Sequence, residues 1–388
     1  MQNAIVATLV FGLLGCILIL EMKFNVPSLS GTGKTALGFA LLCLIWGMVV
    51  APFSPHPSIS IPYMLNLFSL SMAGLAMGLR VDTLFCKKHI LFGAIALSAI
   101  LVYSLVRFST FNKVGSSPFF QDTNLLSAAA ALLLPGLGAI GWSDRRKWTG
   151  WSAWGMVLLF IVAVAVFRSR GAWLSLIAVG LIFPVFLMSK KMLRIGWIIG
   201  AILICVTYFT FRTTLAATTY PSRDAIGQLK SIGELKNDFS NRERLMRWEC
   251  AWRMAIDQPI LGQGPGCYPS TFKNFLRSPE EMERISYWFG WRFGAHSDSL
   301  NLLAETGFVG FFAFIGMLFA TGVLAIRRIL NVKQGFTVKA GVMLGLLTWV
   351  VHGCFNDLLS SSFLVVWGFW MIGYQLRTDD EHITPSKE

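Results

Sequence analysis

His296 is the residue in this sequence with the clearest capacity for proton transfer. It lies in Gly294–Gly310, which reads GAHSDSLNLLAETGFVG. Ser297, Asp298 and Ser299 are all favourable N-caps, so a helix is expected to begin within a residue or two of the histidine. The positive end of a helix dipole favours a neutral imidazole, which can accept a proton. The segment therefore predicts a general base; the alternative is a polar residue that only flanks a membrane helix.

Four arginines form a second candidate group. Arg168 and Arg170 lie in FRSRGAW, between two hydrophobic runs, and Arg244 and Arg247 lie in SNRERLMRWECAWRMAI. Arginine remains charged and can bind two phosphate oxygens at once, so paired arginines near a membrane surface predict a diphosphate-binding site. The alternative for arginines at a membrane boundary is that they extend into water without binding a ligand.

Further polar residues and glycines are expected to support the site. Gly264 and Gly266 lie in LGQGPGCY, where glycines either let the backbone approach a ligand closely or simply form turns. Glu305 lies two turns into the helix after His296, and a carboxylate buried there needs a partner, which one of the arginines could supply. The remaining supporting candidates lie at the ends of hydrophobic helices: Asp298, His352, Asn356 and Asp357.

The composition identifies the chain as a membrane protein that crosses the bilayer many times. Of its 388 residues, 55% are hydrophobic and 14% are charged, as is typical of such proteins. The expected fold is all-α, a polytopic transmembrane helical bundle of about 11–12 helices with a large outer loop that contains amphipathic helices. The hydrophobic runs that predict these helices are 4–20, 36–52, 60–79, 89–107, 124–142, 151–167, 171–188, 195–211, 299–322, 340–356 and 361–376.

Basic residues in alternate loops predict the orientation. Clusters at 87–88, 145–147, 190–194 and 327–339 fall in every second loop, and loops rich in Lys and Arg remain in the cytoplasm. This rule also accounts for the net charge of +13 without nucleic-acid binding. The predicted organisation is residues 1–211 as N-terminal transmembrane helices, 212–297 as a large outer loop, 298–376 as C-terminal transmembrane helices and 377–388 as a cytoplasmic tail.

The outer loop contains one amphipathic segment, Ser240–Ile256. Leu245, Trp248, Trp252 and Ile256 recur in it at helical spacing. Tryptophan favours the headgroup layer and arginine favours lipid phosphates, so we expect an interfacial helix with its arginines towards the phosphates. The alternative is a surface anchor without chemistry.

The sequence predicts neither a metal nor another cofactor. Glu280, Glu281 and Glu283 are interpreted as a solvated helix face, and no DxD pattern or cluster of His and Asp indicates a metal site. Cys250 and Cys267 both lie in the outer loop. A disulfide between them would require an oxidising compartment and a proximity that the sequence does not show.

Together these groups suit glycosyl transfer from a lipid diphosphate. Arginines at the lipid surface would bind the diphosphate and stabilise the charge that develops on it as the sugar departs. A neutral histidine would take the proton of the attacking hydroxyl. Because a sugar linked to diphosphate already has a good leaving group, protonation of the leaving oxygen is less necessary, and the reaction that fits uses no nucleotide.

The order of three motifs resembles the O-antigen ligase and Wzy-type polymerase family of membrane glycosyltransferases. The motifs are SRGAW, DQPILGQGPGCY and AHSDSLNLLAETGFVG, and the similarity spans roughly Asn124–Tyr374. The resemblance implies a multi-pass protein of the bacterial inner membrane with a large periplasmic loop. It implies an undecaprenyl-diphosphate-linked glycan as donor and metal-independent transfer with inversion. It assigns Arg170 and Arg244 to the diphosphate and His296 to activation of the acceptor hydroxyl.

The resemblance leaves more than one function open. The leading hypothesis is a ligase that transfers a polysaccharide to a hydroxyl of a lipid A–core sugar in the surrounding membrane lipids. A polymerase of the same family, which joins lipid-linked repeat units, shares the motifs. A non-catalytic transporter of a polysaccharide or lipid-linked glycan is the third hypothesis, although transporters typically contain internal repeats and sites near the bilayer midplane, which this sequence does not show.

Overall fold

A computed structural model describes residues 29–81, 83–111, 123–167, 169–201, 239–277, 294–331 and 336–377. The predicted span 4–20 and most of 195–211 lie outside these ranges. The same holds for Arg168 and for the acidic group Glu280, Glu281 and Glu283.

The described residues form helices that follow the hydrophobic runs of the sequence. Six of them, α1–α5 and α9, are long and apolar enough to cross a membrane, and α6, α10 and α11 are shorter and apolar. The predicted all-α polytopic bundle is thus confirmed. The helices are α1 (Gly31–Val50), α2 (Pro57–Arg80), α3 (Thr83–Phe111), α4 (Thr123–Ser143), α5 (Trp148–Phe167), α6 (Arg170–Ile182), α7 (191–201), α8 (Phe239–Asp257), α9 (Asp298–Asn331), α10 (Val338–Gly353) and α11 (Ser362–Leu376).

Glycines allow α2 and α11 to pack closely. A Cβ atom at Gly78 would lie 2.1 Å from the Trp370 carbonyl oxygen, and one at Gly74 would lie 2.5 Å from the Val366 carbonyl oxygen. The two helices therefore meet backbone to backbone, which favours association in a membrane.

The centre of the bundle is α4. Its residues 125–137 are buried throughout, and it packs against α3, α5 and α10, while α9 packs along α1. The beginning of α9, the beginning of α6 and the end of α10 come together at one end of the bundle, where the candidate site lies.

The helix that follows His296, α9, is interrupted at Gly307. Gly307 has φ 67° and ψ −170°, a region that essentially only glycine occupies. An interruption removes backbone groups from helical hydrogen bonding, and a membrane helix must find other partners for them. The carbonyl oxygens before the interruption have partners outside the helix. Ala304 O and Glu305 O accept from the amides of Gln263 and Gly264, each at 2.9 Å, and Thr306 O accepts from Trp46 Nε1 at 2.9 Å. After the interruption, the Phe308 amide donates to the Pro259 carbonyl oxygen at 2.8 Å.

The glycine-rich segment 259–268 is therefore docked on α9 through its backbone. Gly264 has φ 95°, and a Cβ atom there would lie 2.3 Å from Ser54 Cβ. A Cβ atom at Gly266 would lie 2.7 Å from Tyr63 Cγ. At both glycines the backbone lies close to other side chains of the protein, whereas the sequence predicted that it would lie close to a ligand.

We expect Gly307→Ala to lower the unfolding temperature and Gly322→Ala not to. A Cβ atom at Gly307 would lie 2.4 Å from the Ile260 carbonyl oxygen, and the unfavourable φ adds a cost of about 1–3 kcal/mol. A Cβ atom at Gly322, on the same helix, meets nothing within 4 Å. Thermal unfolding of the purified protein in detergent measures both variants. Equal unfolding temperatures would contradict the role assigned to the interruption.

Candidate active site

A small hydrophobic core supports the segment that carries His296. It comprises buried side chains of α8, of the turn that follows the glycine-rich segment and of the start of α9: Cys250, Ala251, Met254, Tyr268, Phe272, Ala295 and Ala304. On the opposite face of α8, Leu245, Trp252 and Ile256 are exposed, which suits the predicted interfacial helix. The helix therefore presents one apolar face to the outside and packs with the other face against the segment that carries His296.

His296 immediately precedes the first turn of α9, which begins at Asp298. The predicted helix start beside the histidine is confirmed. His296 has φ 55°, a left-handed conformation that is uncommon for a residue with a side chain and that often occurs at functional sites. Its side chain retains 19% exposure, so the ring is accessible at the surface of the site.

Hydrogen bonds hold the backbone on both sides of His296. Asn301 Oδ1 accepts from the Ala295 amide at 2.7 Å, and Asn301 Nδ2 donates to Asp357 Oδ1 at 2.6 Å. The same carboxylate oxygen accepts from the Ser297 amide at 3.1 Å. Asp357 follows α10, so these bonds join the end of α10 to the start of α9 and maintain the strained histidine.

The Asp357 carboxylate also lies beside the imidazole. His296 Nδ1 and Asp357 Oδ2 are 3.9 Å apart, which is longer than a hydrogen bond. Catalytic hydrogen bonds are often long before substrate binds and shorten in the complex. A contraction of about 1 Å would orient the ring through Nδ1, and Nε2 would then be the proton acceptor.

Arg247 is held inside the protein by Glu243. Its side chain is 0% exposed, and its Nη2 lies 2.9 Å from Glu243 Oε1, which also accepts from Nε at 2.9 Å. Nη1 donates to the Gly294 carbonyl oxygen at 3.1 Å, and the guanidinium lies 5.4 Å from the centre of the Phe272 ring. The prediction that Arg247 faces lipid phosphates is therefore wrong: packing against α9 buries it, and it positions the histidine segment.

Burial and two arginines keep His296 neutral. Burial, followed by the charges of Arg247 and Arg244, lowers the pKa of His296 to about 3. This direction agrees with the predicted neutral imidazole, and the arginine charges add a cause beyond the helix dipole. Arg244 itself is half-buried, so it differs from Arg247 in retaining access to the site.

The turn that contains Arg170 packs against the end of α10. Ser169 caps α6 by accepting from the Ala172 amide, and Arg170 is the first helical residue. A Cβ atom at Gly171 would lie 2.7 Å from Asn356 Nδ2 and 3.0 Å from His352 Nε2. The charge of Arg244 acts on His352 as well as on His296. Arg170, Arg244 and both imidazoles thus belong to one region.

Two predicted supporting carboxylates have structural partners. Glu305 Oε1 accepts from the Tyr268 amide at 3.0 Å, so backbone amides satisfy it and the predicted arginine partner is wrong. Asp298 is buried and its Oδ1 accepts from the Leu359 amide at 2.9 Å. Both carboxylates fix the segments around the site.

Cysteines and acidic residues complete the description of the site. Cys250 and Cys267 are buried and are not joined by a disulfide. Within the described ranges, no three His, Cys, Asp or Glu side chains are grouped so that they could hold a metal ion.

Asn301 is the residue of the site that the sequence analysis missed. It lies five residues after His296, within the motif AHSDSLNLLAETGFVG, but nothing in the local sequence distinguishes it as a site residue. Its role depends on Asp357, which is 56 residues further along the chain, and such a pairing becomes visible only when α9 and α10 are placed side by side.

Comparison with known proteins supports the resemblance carried by the motifs. Residues 154–315 match a family model described as O-Antigen ligase. No curated protein matches the chain. The matched range includes Arg170, Arg244 and His296, whereas His352, Asn356 and Asp357 lie beyond it.

We expect Arg247→Met to destabilise the protein and Arg242→Met to have little effect. Removing the Arg247 charge leaves the Glu243 carboxylate buried without its partner, at a cost of about 3–5 kcal/mol. Arg242 is exposed on the same helix. Thermal unfolding in detergent compares the two, and a Glu243→Gln/Arg247→Met double variant should recover part of the loss. Equal unfolding temperatures for the single variants would show that the buried pair contributes nothing.

Proposed function

We propose that this chain, whose residues 154–315 match a family model described as O-Antigen ligase, is an O-antigen ligase of the bacterial inner membrane. It transfers a polysaccharide from undecaprenyl diphosphate to a hydroxyl of a lipid A–core sugar on the periplasmic face. The observation that carries this proposal is the grouping of a neutral, partly exposed His296 with the arginine-bearing ends of α6 and α8.

Arg170 and Arg244 bind the donor diphosphate. Both are half-buried, so their charges are less screened than at an open surface and remain accessible to a ligand. Guanidinium groups bind phosphate oxygens through paired hydrogen bonds. They also stabilise the negative charge that grows on the diphosphate as its bond to the sugar breaks. Since the arginines supply this positive charge, the reaction requires no metal.

His296 acts as the general base. The acceptor hydroxyl oxygen forms a bond to the anomeric carbon of the donor sugar, and its proton passes to His296 Nε2. The bond between that carbon and the phosphate oxygen breaks, and undecaprenyl diphosphate leaves with the electron pair. Asp357, beside Nδ1, orients the ring and stabilises the imidazolium that forms. Attack opposite the leaving group inverts the anomeric configuration.

Donor binding prepares His296 for this role. In the free protein, burial and the charges of Arg247 and Arg244 hold the pKa of His296 at about 3, which makes the imidazole a weak base. A diphosphate bound at Arg244 offsets the positive charge and favours the protonated ring. The pKa of His296 therefore rises when the donor binds, and the base becomes effective only in the complex.

Transfer by the purified full chain tests the function. Undecaprenyl-diphosphate glycan and core-bearing lipopolysaccharide are supplied with a chelator to the wild type and to three variants: His296→Ala, Arg244→Ala and Arg170→Ala. We expect glycan on lipopolysaccharide with the wild type, and rates at least about 100-fold lower with each variant. Arg242→Ala, two residues from Arg244 and exposed, is the matched control and should remain active.

The products separate the alternatives. Elongation of the lipid-linked glycan without modification of lipopolysaccharide would identify a polymerase. Movement of the glycan without any new covalent product would identify a transporter. Full activity of the variants would contradict the assignment of the site whichever product forms.

The proposed mechanism predicts two different pH limits for one reaction. Protonated His296 cannot accept a proton, so activity falls as the pH drops through its pKa. In the pH profile of kcat/KM for the donor, the acid limb reports the pKa of His296 in the free protein, which is about 3. In the pH profile of kcat, the acid limb reports the pKa of His296 in the complex. We therefore expect the acid limb of kcat at a higher pH than that of kcat/KM. Coincident limbs would contradict the effect of donor binding on the histidine.

A further inference from the structure

We propose that His352 and Asn356 form an uncharged hydrogen-bonding wall of the diphosphate site, at the N-terminus of α6 and beside Arg170. This inference rests on the proposed function and adds two hydrogen-bond donors, whose residues lie outside the matched family range. The group they bind is a phosphate of the donor.

The first observation is that both side chains are buried with polar atoms that lack partners. His352 is 0% exposed and Asn356 is 3% exposed. Among the described residues, no hydrogen-bond partner is found for either ring nitrogen of His352 or for Asn356 Nδ2. Burying such a group without a partner costs about 1–3 kcal/mol, and buried polar groups are almost always satisfied. Two neighbouring exceptions indicate that a ligand supplies the partner.

The second observation is where these nitrogen atoms point. A Cβ atom built on Gly171 would lie 2.7 Å from Asn356 Nδ2 and 3.0 Å from His352 Nε2. Both nitrogens therefore converge on the backbone of the first turn of α6, where position 171 carries no side chain. That helix has 13 residues, and its positive end favours an anion.

The surrounding charge identifies the ligand as an anion. Arg170 is the first residue of α6, and the charge of Arg244 acts on His352. The neighbouring carboxylates of Asp298 and Asp357 already accept hydrogen bonds from protein groups, so the arginine charges favour an anion. Phosphate oxygens accept hydrogen bonds from Asn356 Nδ2 and from the proton that we place on His352 Nε2. A hydrogen-bond donor without a charge, such as the Asn356 amide, binds the phosphate without adding repulsion between neighbouring cations.

Binding of undecaprenyl diphosphate to the purified full chain tests this wall. Asn356→Asp keeps the size of the side chain but replaces a donor with a negative charge, and His352→Phe removes the ring nitrogens. We expect each to weaken binding roughly tenfold or more, as for loss of a charge-assisted hydrogen bond. His352→Gln keeps an N–H group and should bind within about threefold of the wild type.

Controls separate binding from folding. Cys354→Ala changes an exposed residue two positions from His352 and should bind as the wild type does. Inorganic pyrophosphate should compete with the lipid in the wild type and not in Asn356→Asp, while phosphatidylglycerol vesicles should not compete. Competition by phosphatidylglycerol with the same dependence on the variants would overturn the assignment to the donor. Unfolding temperatures of the variants identify any loss that comes from misfolding, and His352→Gln tests the wall if His352→Phe fails to fold.

Two further results would overturn the proposal. One is wild-type affinity for undecaprenyl diphosphate in folded Asn356→Asp and His352→Phe. The other is a change in KM for the acceptor alone, which would assign the wall to the acceptor sugar. The proposed function is tested separately. If the variants lose binding but the wild type transfers no glycan, the wall is retained and the ligase function is rejected. If the wild type transfers glycan and the variants keep an unchanged KM for the donor, the ligase function is retained and the wall is rejected.

Discussion

Backbone groups withdrawn from water must find hydrogen-bond partners, and the organisation of the site follows from how α9 meets this requirement. The helix breaks at Gly307, and the glycine-rich segment 259–268 and Trp46 bind the backbone groups that the break releases. Because that segment continues directly from α8, the break also fixes α8 along the first turns of α9. The arginines of α8 are thereby held next to His296, which precedes the same helix.

Arg244 and Arg247, two of the arginines of α8, have different tasks although they are three residues apart. Arg247 is neutralised by Glu243 and binds the backbone at Gly294, so its charge is used inside the protein. Arg244 remains half-buried and acts on both His296 and His352. Arg247 therefore fixes the segment that carries His296, although its charge, like that of Arg244, lowers the pKa of that residue.

Properties that depend on local sequence were predictable. The thickness of a membrane determines the length of a spanning helix, so the hydrophobic runs that fall on described residues, from 36–52 to 171–188 and from 299–322 to 361–376, coincide with helices. The N-cap residues after His296 correctly located the start of α9. The grouping of His352, Asn356 and Asp357 at one end of α10 also followed from their spacing.

Properties that depend on contacts between distant segments were not predictable. Glu243 and Arg247 are one helical turn apart, but only the packing of α8 on α9 shows that this pair is buried. Glu305 was expected to pair with an arginine, but its carboxylate accepts a hydrogen bond from the Tyr268 amide. That amide is within reach because the glycine-rich segment packs closely against α9. Asn301 acquires its role only through Asp357. In each case the partner comes from another part of the chain, and no local pattern identifies it.

The most direct test of the account is the stereochemistry of the transfer. The central claim is that His296 removes a proton from an acceptor hydroxyl while the sugar leaves an arginine-bound diphosphate in a single displacement. NMR of the product of the purified protein would compare the anomeric configuration of the new linkage with that of the donor. The account predicts inversion. Retention of configuration would contradict it, because a single displacement opposite the leaving group always inverts the anomeric carbon.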